Sequence, residues 1–139
     1  MEPGIAFAAL DLDTDERFLQ LRRQLGVSTF GCNQVTLAPG QRGRIHAHER
    51  QEEVYLVIAG ELTLVVEEEE HTLRTGELAR VAPDVRRQLM NRGRERCVVV
   101  ALGGAEPHMG RDGRAWVAWD APEGGSPQDV PLPEDLPLH

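Results

Sequence analysis

Residues Gly40 to Gly60 read GQRGRIHAHERQEEVYLVIAG, and the alternation inside this stretch governs the reading of the rest of the chain. His46 and His48 stand two apart in a run with strand character, so their imidazoles leave the same face of one strand. Glu53 opens the next run, whose return brings a carboxylate beside those rings. Glu52 falls on the opposite face and is expected to meet solvent, whereas Tyr55 shares the face of Glu53 and either lines a pocket or fills the core. Two imidazoles and one carboxylate meeting on an inner wall form the facial donor set of non-haem Fe(II) sites. The same set suits Mn, Ni, Cu or Zn.

Outward from this stretch the same short rhythm continues from Ser28 to about Gly103. Short strand-like runs over 28–38, 43–49, 53–59, 61–67, 70–74, 77–82, 86–91 and 96–102 are punctuated by Pro39-Gly40, Gly60-Glu61, Thr75-Gly76 and Asn91-Arg92-Gly93. Many short strands at even spacing predict an all-β sandwich or barrel rather than a parallel α/β sheet. The acidic run Glu67 to Glu70 reads as a solvated hairpin tip. Upstream, residues 13–25 are expected to form one short helix on the outside of the barrel. Asp13 would be its N-cap with Glu16 as capping-box partner, Phe18, Leu21 and Leu25 its apolar face, and Gly26 its stop. Downstream, Trp116 to Trp119 is a candidate edge strand. Residues 121–139 carry five prolines and are expected either to lack fixed structure or to lie over a surface, such as a partner subunit's. The chain therefore divides into an N-terminal strand/helix extension (1–27), a barrel (28–103) and a C-terminal edge strand with a proline-rich acidic tail (104–139).

The spacing glycine, five residues, His-x-His, four residues, glutamate, six residues, glycine resembles the first signature of the cupin family. Gly40, His46, His48, Glu53 and Gly60 fill its positions, and fifteen residues then separate Gly60 from Gly76. The resemblance covers about residues 30 to 102. It implies a double-stranded β-helix of jelly-roll type with a pocket inside, a divalent transition metal (Fe, Mn, Ni, Cu or Zn) held by His46, His48 and Glu53, and a homodimer.

The family's second signature is partly filled, with Gly76 at its start and Asn91 at its end. Where it usually has Pro-x-Gly and then a third metal-binding histidine, this chain reads Ala82-Pro83-Asp84-Val85-Arg86-Arg87. Asp84 stands in place of the glycine and Arg87 in place of the histidine. Arginine has no lone pair to give a metal. Two outcomes follow. Either three ligands hold the metal while Arg87 directs positive charge at an anionic ligand, or Arg87 pairs with Glu53 in a metal-free binding or sensing barrel. In the first case the chain handles a small, anionic organic molecule, and as an enzyme it would be a metal-dependent oxygenase, isomerase or decarboxylase with Arg87 and Tyr55 as candidate catalytic groups. A metal-independent sugar isomerase or epimerase is a further alternative. It calls for a His-Asp pair or a lysine, and no such pair stands out in the sequence.

Composition narrows the partners. At 139 residues the chain suits a single domain, and its formal net charge of -8, with arginine as its sole cationic residue type, argues against a nucleic-acid backbone as ligand. No run approaches the ~20 apolar residues of a membrane span, and the N-terminus lacks a secretory pattern, so a cytoplasmic protein is expected. Cys32 and Cys97 read as two buried reduced thiols, and His71, His108 and His139 as unclustered surface residues.

Overall fold

The computed structural model describes residues 4–105 and 112–138. The strands are β1 (Phe18–Leu19), β2 (Gly31–Leu37), β3 (Ile45–His48), β4 (Glu52–Ala59), β5 (Glu61–Val66), β6 (Glu69–Arg74), β7 (Leu78–Val81), β8 (Arg87–Met90), β9 (Cys97–Gly104) and β10 (Gly113–Trp116). They build two five-stranded antiparallel sheets, in the orders β1-β2-β9-β4-β7 and β10-β3-β8-β5-β6. This is the expected jelly roll. All eight runs read from the sequence between residues 28 and 102 are strands.

Alternation explains the core. Leu37, Tyr55, Val57, Leu62, Leu64, Leu89, Val99 and Ala101 project between the sheets and are almost completely buried. The turn Glu67-Glu68 joins β5 to β6 with positive φ at both residues (48° and 68°), as a two-residue hairpin of matching twist requires, and both side chains are exposed. Gly60 turns β4 into β5 at φ 73°, and a Cβ there would stand 2.4 Å from the carbonyl oxygen of Arg96. No other residue fits.

The helix is shorter than the sequence predicts. Only α1 (Leu21–Leu25) is helical, because Phe18 and Leu19 pair instead with Val35 and Gln34 of β2, and Arg17 accepts a bond from the Thr36 amide at 2.9 Å. Satisfying the open edge of β2 outweighs the local capping pattern at Asp13, whose amide donates to Asp11 at 3.0 Å. The predicted stop is correct: Gly26 is left-handed (φ 72°) and closes the helix.

At the other end, the edge strand begins earlier than Trp116. β10 pairs with β3 in the register Gly113↔His48 and Ala115↔His46. The tail after it lies on the chain's own barrel. The Leu136 amide donates to Gly40 O at 2.7 Å, Arg42 grips Glu134 O at 2.6 Å, and Arg44 donates to Val130 O at 2.7 Å. Arg86 stacks over the Trp116 ring at 4.1 Å and donates to the carbonyls of Trp119 and Ala121. Among the described residues no helix is long and apolar enough to cross a membrane.

Candidate metal centre

His46 and His48 come from β3 and Glu53 from the start of β4, on opposite sheets of the sandwich. Their ligand atoms all lie within 4.8 Å of one another. The Nε2 atom of His46 is 3.6 Å from Glu53 Oε1, and that of His48 is 3.5 Å from Oε2. The two rings stand edge to face, 5.5 Å between centroids.

The back of each ring fixes what its front offers. His46 Nδ1 faces the carbonyl oxygen of Arg44 at 3.2 Å, and His48 Nδ1 faces Asp112 Oδ1 at 3.0 Å. Both partners can only accept, so in each neutral ring Nδ1 carries the hydrogen and Nε2 presents its lone pair to the centre. Two nitrogen lone pairs and a carboxylate therefore converge, with the Tyr55 hydroxyl as the one donor beside them among the hydrogen bonds of the described residues. That single hydroxyl hydrogen cannot serve all three acceptors, so the centre has room for a further proton or a cation. The donor set fits a divalent transition metal by ligand type, by the free nitrogens, and by the carboxylate behind one imidazole, which orients that ring.

Electrostatics agree with the geometry. Burial alone would raise the Glu53 carboxyl, but hydrogen bonds and charge from the two imidazoles outweigh it and hold the group far below the carboxylate range. For His48, burial and the charge of Arg87 lower the pKa, while Glu53 and Asp112 raise it, and the net shift is upward. The Tyr55 hydroxyl donates to Glu53 Oε1 and lies 3.3 Å from His46 Nε2. Burial and the nearby carboxylate push its pKa well up, against an opposing pull from Arg87.

Asp112 is the residue that sequence reasoning missed. It is buried, accepts from the amides of Arg50 and Gln51 at 2.8 Å each and from the Gln51 side chain at 2.8 Å, and then holds His48. Burial raises its pKa, but these amide donors and His48 bring it below the usual value. The signal, an aspartate before a glycine, reads as an ordinary turn, and nothing in the linear order ties it to a histidine 64 positions away.

Arg87 departs from both outcomes drawn from the sequence. It faces inward, opposite His46 across β3 and β8, and is fully buried. The expected ion pair with Glu53 does not form, since the ion partners of that carboxylate are the two imidazoles. Nor does Arg87 line the cavity above the site. Its Nη1 folds back on Val85 O at 2.9 Å, leaving Nε and Nη2 buried without hydrogen-bond partners. It lowers the pKa of His48 through its charge, and that of Tyr55 through its charge and through its closeness to the hydroxyl.

The remaining sequence candidates fall simply. Glu52 points outward and pairs with Arg80 at 2.6 Å. Asn91 is a buried turn residue whose amide nitrogen donates to Leu37 O and Glu95 O and whose oxygen accepts from Gly93. His71 is exposed. Cys97 is buried, its thiol pushed up to about 12 by that burial and by the charge of Glu61, whereas Cys32 is only half-buried; both are free. His108 and His139 lie outside the described residues.

Above the centre opens a cavity of about 840 Å³, whose walls include His46, His48, Glu53 and Tyr55. Its rim is made by α1, expected to pack away from any chemistry, and by the tail at Gln128 and Leu132.

The cupin domain family model matches residues 33–103, just over half of the chain, and the chain belongs to that family. Among solved structures it is similar to a cupin protein from Bacteroides fragilis (TM-score 0.67, 18% identity, covering 75% of this chain and 86% of that one). It is also similar to a sugar phosphate isomerase of the cupin superfamily from Silicibacter pomeroyi (TM-score 0.64, 26% identity, covering 86% and 81%). A protein from Acidithiobacillus ferrooxidans matches with a TM-score of 0.57 and 23% identity over 62% of this chain, which spans 56% of that one. Among curated proteins, none matches.

Proposed function

We propose that the chain binds a divalent transition metal through His46, His48 and Glu53 and uses it to hold and isomerise a small, oxygen-rich, anionic organic molecule in the cavity above. The observation that carries this reading is the convergence of two Nε2 lone pairs and a carboxylate within 4.8 Å, each ring anchored from behind on an acceptor. When bound, the metal supplies Lewis acidity toward a carbonyl or hydroxyl oxygen. The chain's own residues do the rest. Asp112 keeps His48 in one tautomer and orientation. Tyr55 holds a proton on its hydroxyl next to the triad, where it can be passed to or taken from a neighbouring carbon or oxygen. Proton transfer of this kind needs no redox partner, and it favours isomerisation over oxygenation. The likeness to a Silicibacter pomeroyi protein named as a sugar phosphate isomerase points the same way.

A second reading is supported by one observation: His48 and Asp112 form the His-Asp pair that a metal-independent isomerase would use for proton abstraction. In such a dyad the outer nitrogen should face open substrate space, whereas His48 Nε2 faces Glu53 at 3.5 Å. The metal reading accounts for that facing.

Elemental analysis of protein purified without a histidine tag separates the two. About one equivalent of transition metal per chain is expected, together with a rise in melting temperature when metal is added to stripped protein, since ligand bound to the native state stabilises it. Less than about a tenth of an equivalent, with no thermal shift on adding Mn, Fe, Ni, Cu or Zn, overturns the metal reading. Glu53→Ala should abolish the uptake.

A further inference from the structure

We infer that the outer part of the same cavity is a subsite for a phosphate-class dianion, held by Arg22 and Arg23 of α1. The inference rests on the cavity described above and adds to the proposed function the chemistry of the ligand's far end.

Charge is distributed unevenly over this molecule. The whole chain carries a formal net charge of -8, yet the cavity wall holds four arginines, Arg17, Arg22, Arg23 and Arg44, and among the described residues its one acidic group is Glu53. Glu53 is committed to the two imidazoles on the inner wall. The positive charge at the rim therefore has no counter-charge within the cavity.

The four arginines are not equivalent. Arg17 donates to Arg42 O at 2.9 Å and lies 3.6 Å from Asp135, and Arg44 is spent on Val130 O at 2.7 Å. Those two tie the tail to the barrel. Arg22 and Arg23 are exposed and line the cavity, and their side chains have no hydrogen-bond or ion partner among the described residues. A pair of arginines on a helix commonly does no more than face water. Here the helix is docked by buried Leu21 and stopped by Gly26 in the left-handed conformation, so both residues are held at the mouth of a preformed cavity.

Two unneutralised guanidinium groups lining one cavity match a dianion better than a single carboxylate, because each can direct paired N–H donors at a separate oxygen. The ligand that this cavity fits thus has two unlike ends: an oxygen-bearing end that reaches the triad and Tyr55, and a phosphate end that remains at the rim. Arg87, the one arginine beside the triad, is walled off and leaves anion recognition to α1.

The test is calorimetric titration of inorganic phosphate into the full-length, metal-stripped protein at constant ionic strength, with acetate as a parallel titrant. Saturable phosphate binding is expected, weakened about tenfold or more in Arg22→Ala/Arg23→Ala, since each charge-assisted bond lost is worth roughly that factor. Arg80→Ala, on β7 and paired there with Glu52 away from the cavity wall, should leave it unchanged, and acetate should bind much more weakly. Absence of saturable binding, binding undiminished in the double variant, or equal binding of acetate would overturn the subsite. His46→Ala is expected to lose metal uptake while keeping phosphate. Loss of phosphate binding in that variant would place the anion at the triad instead and also overturn the proposal. Failure of the metal reading appears separately, as wild-type protein that binds phosphate and takes up no metal.

Discussion

His48 and Arg87 face the same interior from neighbouring strands of one sheet, and their polar atoms are provided for in opposite ways. Behind His48 stands Asp112, itself fixed by the Arg50 and Gln51 amides, so the ring is held at its back and its Nε2 is free at the front. Arg87 is fully enclosed, spends one nitrogen on Val85 O, and leaves Nε and Nη2 unmet. Unmet donors of this kind cost about 1–3 kcal/mol each. A side chain braced from behind with a lone pair in front is arranged to take a ligand, while one sealed in with orphan donors has none to give and acts on its neighbours from behind the wall. The centre is therefore organised around three donors, and the fourth family position contributes a field.

The sharpest way to break this contrast is at the brace. Asp112→Asn replaces an acceptor-only carboxylate with an amide that can turn its NH2 toward His48 Nδ1 and so reverse the tautomer. Metal affinity should fall about 10- to 100-fold, in the range found for groups that orient a metal-bound histidine. Competition with a chromophoric chelator would measure it. Affinity within a factor of two of wild type would mean that Asp112 serves the loop at Arg50 and Gln51 and not the metal.

The next test converts one side of the contrast into the other. Arg87→His places a nitrogen donor opposite His46 and removes a buried positive charge that opposes a metal cation. Metal should bind roughly tenfold tighter or more, an expectation that follows from one added ligand in a site where three are already placed. Unchanged affinity would show that a side chain at position 87 cannot reach the centre.

How much of this could be read beforehand divides along the same line. The strands, the Gly60 turn and the convergence of His46, His48 and Glu53 are encoded by alternation and short spacing within twenty-odd residues, and such local patterns survive folding because period-two projection is a property of any strand. Asp112 was illegible because its role depends on β10 pairing beside β3, a contact across the full length of the barrel. Arg87 was half legible. Its inward face followed from position, but its choice of Val85 O over Glu53 depends on packing that no spacing reports. The helix failed for the opposite reason, a strong local signal from Asp13 to Leu25 overridden by the edge of β2. The tail, with five prolines, gave no local signal for its docking onto Gly40, Arg42 and Arg44.

Proton occupancy distinguishes the braced group by a smaller effect. In metal-free protein His48 has a pKa raised above its unfolded value, so the stability it contributes is fully present below about pH 6.5 and is lost as pH rises through the folded value. Glu53 and Asp112 are depressed, so their contributions are present above about pH 4.5 and are lost as pH falls through their folded values. Stripped protein should therefore melt a few degrees lower at pH 8 than at pH 6. Metal-loaded protein should do the reverse, because below about pH 6 protons compete with the metal for the imidazoles. Identical melting of stripped protein at pH 6 and pH 8 would remove His48 from the account.

The smallest expected effect lies at the turn that leads into Arg87. Asp84 stands where the family usually has glycine, and it adopts the left-handed conformation glycine favours, at φ 64°, with its side chain exposed. Its amide donates to His48 O at 2.7 Å, so this turn also anchors the end of β3 from the other side. Aspartate tolerates the conformation better than most residues but still pays for its Cβ. Asp84→Gly relieves that strain and adds flexibility to the unfolded chain, two terms of opposite sign and similar size. The net change should be within about 1 kcal/mol and on the stabilising side, readable as a small rise in the denaturation midpoint with no change in metal affinity. A weakened metal site in Asp84→Gly would mean that the turn, and not Asp112 alone, sets the position of His48, and the contrast between a braced histidine and an idle β7–β8 corner would have to be redrawn.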